Sequence, residues 1–348
     1  MQHNNNKYPD SLLPSLHDIS FVCPICREGL DVSRYGFHCG QCWKLYSLHG
    51  GIPDFRVFPD PFLDFQEDHD RTELLLAALD RHNLESLLEY YWSLSDITPK
   101  ALRGKFMRSA MLGEQRAKRT VNILEGICGN DPANSKTALE VGSGTGNFLS
   151  AAAPHYRRVI GTDIAMRWLH VSRRRFMDFG MPVPPLVCCC AEHLPFPDGM
   201  FDLIVSSGTL EFVSDQNKTL SECARCMKDD GILFVNTVNR FSVAQDPYAY
   251  LWGVGFLPRS LQAQYVRWRR NAVYENTRLI SFRELDLMAA RYFSKRAFFL
   301  PDVDDSSLNR FPAHTRLQVK IYRRLKGVPP FAWLLRWFGP GWDAVFSK

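Results

Sequence analysis

Between Thr137 and Val238 five short apolar runs alternate with helical patterns. The runs are TALEV (137–141), RRVIGTDI (157–164), PLVCCC (185–190), FDLIVSSG (201–208) and GILFVNTV (231–238). Runs of this length and composition suit strands buried on both faces. Strands separated by helices close into a parallel sheet whose crossovers cover both faces. The alternation therefore predicts an α/β fold with a mostly parallel sheet. A helix is expected from Asp215 to Met227, before the fifth run. Two later stretches, SKRAFFLPDV and GPGWDAVFSK, supply a sixth and a seventh strand, the seventh expected antiparallel at the sheet edge.

The turn after the first run reads Val141-Gly142-Ser143-Gly144-Thr145-Gly146. Glycines at alternate positions let a ligand approach the backbone closely, and the carboxyl end of a parallel strand is where open α/β sheets bind ligands. The spacing is GxGxG, not the GxGxxG of dinucleotide binders. Asp163 ends the second run, where a carboxylate can accept two hydroxyl bonds from a ribose. The third run leads into CAEHLPFPDGMFD and the fourth into SSGTLEFV.

Taken together, these motifs resemble the class I S-adenosylmethionine-dependent methyltransferases, over about residues 137–240. The resemblance implies a Rossmann-like, mostly parallel seven-stranded sheet with helices on both faces. It implies that Gly142, Ser143, Gly144 and Gly146 approach the methionine part of S-adenosyl-L-methionine, with Glu140 supporting the loop. Asp163 would bind the ribose, Ile164 would pack on adenine, and Cys190, Ala191 and Glu192 would close the adenine pocket. Ser207, at the end of the fourth run, is a further candidate cofactor contact. Two positions depart from the pattern. Where many relatives carry an adenine-binding Asp this chain has Cys190, a poor acceptor, so Glu192 or a backbone carbonyl would have to serve. The histidine of a frequent LEH motif is Phe212. The catalytic residue is unknown; Ser207, Thr209 and Glu211 are candidates for a base, Glu211 the one carried forward, with a packing or ion-pair role as its alternative.

Upstream, Cys23-Pro-Ile-Cys26 and Cys39-Gly-Gln-Cys42 form two CxxC turns. Four thiolates suit a tetrahedral structural Zn²⁺ site, and a unit of under about 40 residues needs such a staple to fold. Gly29 and Gly40 are expected to supply the tight backbone turns, and His38 and His49 to be bystanders. The segment CPIC, CGQC and YSLHGGIPDF resembles the zinc ribbon at the head of some bacterial methyltransferases. The expected organisation is a flexible tail (1–20), a zinc ribbon (21–58), a helical connector or lid (59–130) and the methyltransferase domain (131–348), with an acceptor-site insertion at about 241–280. In the connector, Thr98 and Pro99 read as a helix start, and Tyr90, Tyr91 and Trp92 as core packing or part of a lid. Cys223 and Cys226 form a CxxC inside a helix, read as buried thiols. Cys188, Cys189 and Cys190 read as small buried residues at a strand end.

Charge is uneven: from Arg240 to Lys348 there are 18 Lys and Arg against 8 Asp and Glu. A basic third suits an anionic acceptor, nucleic acid or a membrane surface. Arg267, Arg269 and Arg270 with Tyr265 and Trp268 are the candidate cluster, a solvated helix face being the plain alternative. No N-terminal apolar leader and no apolar run of about 18 residues is visible, so a cytoplasmic location is expected, with peripheral contact at an inner membrane surface as a variant. The expected acceptor is a small molecule or a lipid- or sugar-linked one. Alternatives are an rRNA or tRNA base methyltransferase using the ribbon for RNA recognition, and a non-catalytic regulatory protein that only binds the cofactor. Oligomeric state is not legible.

Overall fold

The computed structural model describes residues 14–33, 35–94, 100–128, 135–302, 308 and 313–348. Two sheets organise the chain. Strands β1 (Asp31–Ser33), β2 (Gly36–His38), β3 (Leu45–His49) and β4 (Ile52–Pro53) form a four-stranded sheet in sequence order. The second sheet has seven strands: β5 (Thr137–Val141), β6 (Arg158–Asp163), β7 (Leu186–Cys188), β8 (Phe201–Ser207), β9 (Met227–Val238), β10 (Lys295–Phe299) and β11 (Gly341–Ser347). Its order is β10-β11-β9-β8-β5-β6-β7. β5 and β6, and β6 and β7, pair in parallel, while β11 is antiparallel to both β9 and β10.

All seven runs read from the sequence are strands, with two corrections. β11 lies between β9 and β10, so the sheet edge is β10. Hydropathy explains the exchange: β11 is almost wholly buried, whereas β10 is largely exposed and starts Lys295-Arg296, the charge that protects an edge from pairing with another chain. The third run is also shorter than expected. The strand stops at Cys188: Cys189 N still donates to Asp163 O, but Cys190 O accepts from His193 N as the chain turns away.

The helices are α1 (Phe65–Ala78), α2 (Leu84–Ser93), α3 (Lys100–Cys128), α4 (Asn147–Ala152), α5 (Met166–Asp178), α6 (Gln216–Cys226), α7 (Arg259–Arg270), α8 (Phe282–Ala289), α9 (Ala313–Lys326) and α10 (Pro329–Phe338). Their ends follow local chemistry. Asp64 and Asn83 cap α1 and α2 by accepting backbone N–H bonds, and Ser281 with Glu284 makes the expected capping box on α8. Thr98 and Pro99 lie outside the described residues. Of the tail expected over 1–20, residues 14–20 are ordered, with Leu16 and Ile19 buried.

By contact density the chain divides into residues 1–205 with 221–231, and residues 206–220 with 232–348. The first unit holds the cysteine-rich sheet, the connector helices and the glycine loop. The second holds the ends of β8 and β9, the basic third and the C-terminal strands.

In the first unit the cysteine-rich sheet is built onto the edge strand β7. Asp54 bridges Cys188 in parallel, Phe55 N donates to Cys188 O at 2.8 Å, and Val22 N donates to Pro195 O at 3.0 Å. Phe21, Phe37, Phe55 and Phe196 form one aromatic cluster, with ring centroids 5.1–5.8 Å apart. Arg27 pairs with buried Glu222 at 2.7 Å and donates to Leu194 O. The three cysteines lie under this contact, each at most 2% exposed. Their small size is what lets the incoming chain approach.

Candidate functional site

The glycine loop joins β5 to α4. Gly142, Gly144 and Gly146 have φ of 76°, 50° and 74°, conformations that other residues rarely adopt. Gly146 is there for packing, since a Cβ would sit 2.1 Å from Ser172 Oγ. Gly144 differs: a Cβ there would meet nothing within 4 Å, so the loop presents bare backbone to open space. Behind the loop, buried Glu140 Oε2 and Ser143 Oγ have no hydrogen-bond partner among the described residues. Burial holds the Glu140 carboxyl well above the usual range, and the Asp163 charge adds to that. Bare backbone beside orphaned buried polar atoms fits a bound amino-acid-like group.

Asp163 follows at the end of β6. Its Oδ2 accepts from Gly144 N at 2.8 Å and its Oδ1 from Ala165 N at 2.9 Å, so this carboxylate sets the loop's position directly. Burial raises its pKa to about 6 against the pull of these two N–H groups. Ile164 is half-buried at the same strand end, and its carbonyl accepts from Arg56 at 3.2 Å.

Beneath this strand end lies a buried ion network that sequence reading missed. Arg56 bonds both oxygens of Asp54 and reaches Asp68 at 2.6 Å. Arg167 takes the other Asp68 oxygen at 2.5 Å, Asp60 at 2.7 Å and Tyr91 Oη at 3.0 Å. Asp68 also accepts from Met166 N at 3.3 Å, capping α5 from another helix. The Asp68 side chain is fully buried and those of Arg56 and Arg167 are 4% exposed. Arg175, 1% exposed, donates to Thr145 O in the glycine loop at 2.7 Å and to Ala110 O in α3 at 2.9 Å. In sequence Arg167 and Arg175 belong to a charged helix that reads as surface; only their place on α5's buried face, beside Leu169 and Phe176, could have marked them.

Cys190 is where the site departs from expectation. Its Sγ accepts from Val57 N at 3.4 Å and lies 3.6 Å from Phe58 O. The thiol is thus occupied by the chain leaving the cysteine-rich sheet, and burial pushes it up to about 11. This position serves as a docking seat for residues 57–58, which explains why an acid is absent. Cys190→Asp should therefore destabilise the protein by about 2–4 kcal/mol, because a carboxylate would face a carbonyl without water. Denaturant unfolding of the variant measures this; unchanged stability would mean the thiol contacts are incidental. Ala191 is half-buried and Glu192 is 3% exposed in the same turn.

The four cysteines of the N-terminal motif converge, with all four Sγ atoms within 4.8 Å of one another. Cys23 and Cys42 approach to 3.5 Å, Cys26 and Cys39 to 3.4 Å. The turn residues differ from expectation: Arg27 and Trp43, each following a CxxC, take φ of 71° and 57°, while neither Gly29 nor Gly40 has positive φ. Their N–H groups donate back to Cys23 O and Cys39 O at 2.9 Å. Tyr46 Oη lies 3.2 Å from Cys23 Sγ, the kind of outer contact that orients a ligand sulfur. Four convergent soft donors fit Zn²⁺. His49 turns instead toward His69 and Glu73, away from this cluster.

Other candidates resolve as packing. Tyr91 is buried against Trp168 at 4.6 Å, with Trp92 beside it. Cys223 and Cys226 are buried in α6.

In the second unit Ser207 is exposed, whereas Glu211 is fully buried. One Glu211 carboxylate oxygen accepts from Thr237 Oγ1 at 2.9 Å and Val238 N at 2.8 Å, and its carbonyl accepts from Arg278 N. Burial raises its pKa. These bonds brace the end of β9, while Glu211 Oε2 is buried with no hydrogen-bond partner among the described residues. The Arg267 cluster is largely committed as well: Arg267 pairs with Glu275 and Arg270 donates to Tyr250 O at 2.7 Å, leaving Arg269 stacked at 5.3 Å over Trp268.

Residues 139–235 match the family model described as "Methyltransferase domain". Over 100 residues the chain is 36% identical to the ubiquinone/menaquinone biosynthesis C-methyltransferase of Cupriavidus pinatubonensis, covering 28% of this chain and 41% of that protein. Over 175 residues it is 26% identical to the ubiquinone biosynthesis O-methyltransferase of Proteus mirabilis, covering 49% of this chain and 66% of that protein. The chain thus spans less than two thirds of either relative. A solved S-adenosylmethionine-dependent methyltransferase from Thermotoga maritima is 25% identical, covers 56% of this chain and 79% of its own, and superposes with a TM-score of 0.39. Residues 139–235 thus carry a methyltransferase domain, and the glycine loop and the seven-stranded sheet around it have the Rossmann-like form of the class I S-adenosylmethionine-dependent methyltransferase fold.

Proposed function

We propose that the protein transfers a methyl group from S-adenosylmethionine to a small-molecule acceptor. The observation that carries this reading is the bare backbone at Gly144, held by Asp163, with Glu140 Oε2 and Ser143 Oγ buried behind it and without a hydrogen-bond partner among the described residues. When bound, the cofactor supplies a methyl already activated on a sulfonium. The glycine loop would hold its methionine part, with Glu140 behind it. Asp163 would accept the ribose hydroxyls, and Ile164 with the 190–192 turn would line the adenine. Positioning is then most of what the protein must add. Glu211 braces β9 and is given no chemical part. The relatives named for quinone biosynthesis favour an aromatic, lipid-like acceptor of that class. The four cysteines would hold one structural Zn²⁺.

Cofactor binding should depend on pH. Hydroxyl acceptance needs ionised Asp163, and its pKa lies near 6 in the free protein. Affinity should be constant above that value and fall as pH drops through it, by about tenfold between pH 7 and pH 5. The unliganded fold has the opposite sign: the raised pKa disfavours it above pH 6, and protonation relieves this as pH falls. Calorimetry across this range reads the first effect, and Asp163→Asn should flatten it.

The acceptor class is tested by incubating the protein with methyl-labelled S-adenosylmethionine and separate small-molecule, lipid-extract and RNA pools. Label in the small-molecule or lipid pool supports the reading. Label only in RNA replaces it with base methylation, and cofactor binding without transfer to any pool replaces it with a regulatory role.

A further inference from the structure

The second unit ends in two consecutive helices whose apolar sides are uncovered. On α9, Leu317 and Ile321 are 59% and 48% exposed, one turn apart. On α10, Phe331, Leu334 and Phe338 share one side at 45%, 43% and 41%, and Trp333 is 61% exposed. No residue of α10 is buried at all. A helix that apolar would ordinarily be packed inside a domain.

Charge lies next to this apolar surface. Between Ser306 and Trp342 the sequence has seven Lys and Arg and no Asp or Glu. Arg316, Lys320 and Arg324 recur every four residues, each directly preceding or flanking the Leu317–Ile321–Leu325 stripe, so a basic row borders an apolar row along α9. Arg323 and Lys326 are engaged by Asp302, at 2.9 and 3.6 Å, on a different side of the helix. Neither helix can cross a bilayer: they have 14 and 10 residues, and no described helix is long and apolar enough.

We infer that α9 and α10 dock on an anionic lipid bilayer, lying in its interface with Leu317, Ile321, Phe331, Leu334 and Phe338 in the acyl boundary, Trp333 at the headgroup level, and Arg316, Lys320 and Arg324 on the headgroup phosphates. Both components are needed. Short apolar helices bind an interface in proportion to the area they bury, and basic residues add attraction to a negative leaflet. Tryptophan at the headgroup level is the residue whose ring suits that boundary. Charge complementarity chooses this occupant over a second copy of the chain, whose equally basic face would oppose its own. At the other candidate cluster Arg267 and Arg270 are bonded within the unit and Arg269 stacks on Trp268.

Full-length protein is sedimented with phosphatidylcholine vesicles and with vesicles containing about 30% phosphatidylglycerol. Binding should favour the anionic vesicles at least about tenfold and weaken with salt. The double variant Lys320→Glu, Arg324→Glu should lose at least about tenfold of that binding, and Trp333→Glu, Leu334→Glu should abolish it. Unchanged S-adenosylmethionine binding in these variants shows the fold intact; vesicle binding itself needs no methyl transfer, so the two readings fail separately. Absence of vesicle binding overturns the proposal. So does a vesicle-free dimer in sedimentation velocity that Trp333→Glu, Leu334→Glu dissolves, which would make the face a contact between copies. Binding to RNA that depends on the charges but not on Trp333 and Leu334 would likewise replace lipid with a polyanion.

Discussion

Asp68→Ala is expected to cost about 3–5 kcal/mol of stability and to loosen the cofactor site with it. The side chain is fully buried and holds two arginines, Arg56 and Arg167, whose own side chains are 4% exposed. Removing one partner of a buried ion network leaves uncompensated charge, the most destabilising way to alter it. The loss would not stay local. Asp68 caps α5 through Met166 N, and Arg56 holds Ile164 O, next to Asp163. Denaturant unfolding of the variant measures the energy. Hydrogen exchange at Gly144 and Ala165, the two N–H groups held by Asp163, measures the coupling. A loss below about 1 kcal/mol, or unchanged exchange there, would mean the network is incidental to the site.

Loss of the proposed Zn²⁺ should have the second large effect. Cys39→Ser with Cys42→Ser should abolish about one equivalent of bound zinc and open the cysteine-rich sheet. That unit is too small to hold itself, and a structural zinc site contributes folding energy outright. Because Phe55 and Val22 pair with Cys188 O and Pro195 O, the damage should reach β7. Cys188, Cys189 and Cys190 are at most 2% exposed in the intact protein, and burial holds all three thiols up, so they should resist alkylation. In the variant, or after chelation, they should react with iodoacetamide within the same exposure time. Mass spectrometry of the 185–195 peptide reads this directly. A triplet that stays protected after zinc is lost would mean the aromatic cluster holds the unit without metal.

Several elements were legible in the sequence because a local pattern determines them. The apolar runs of 137–238, the GxGxG turn, the Ser281–Glu284 capping box and the two CxxC turns each depend on neighbours in the chain, and each forms, the third run ending early at Cys188 and the fifth starting early at Met227. Elements set by long-range contact were not legible. β11 sits inside β10, a placement the hydropathy contrast between the two runs fits but that the local pattern of neither run specifies. Arg167 and Arg175 look like surface charge until Asp60, Asp68 and the Thr145 carbonyl arrive from elsewhere in the chain. Cys190 looked like a weak substitute for an adenine-binding acid. Its partners, Val57 and Phe58, lie more than a hundred residues upstream, and they turn it into a seat for the ribbon's exit. Glu211 read as a candidate base because it follows a strand end; only the positions of Thr237 and Val238 reveal a brace.

If the glycine loop and Asp163 hold S-adenosylmethionine, isothermal titration of the protein with this cofactor at pH 7.5 shows it. Saturable binding at one site per chain is expected, weakened about tenfold to a hundredfold in Asp163→Ala, since hydrogen bonds to a charged group contribute about 1.5–3 kcal/mol. No saturable binding, or equal affinity in the Asp163→Ala variant, would contradict the account.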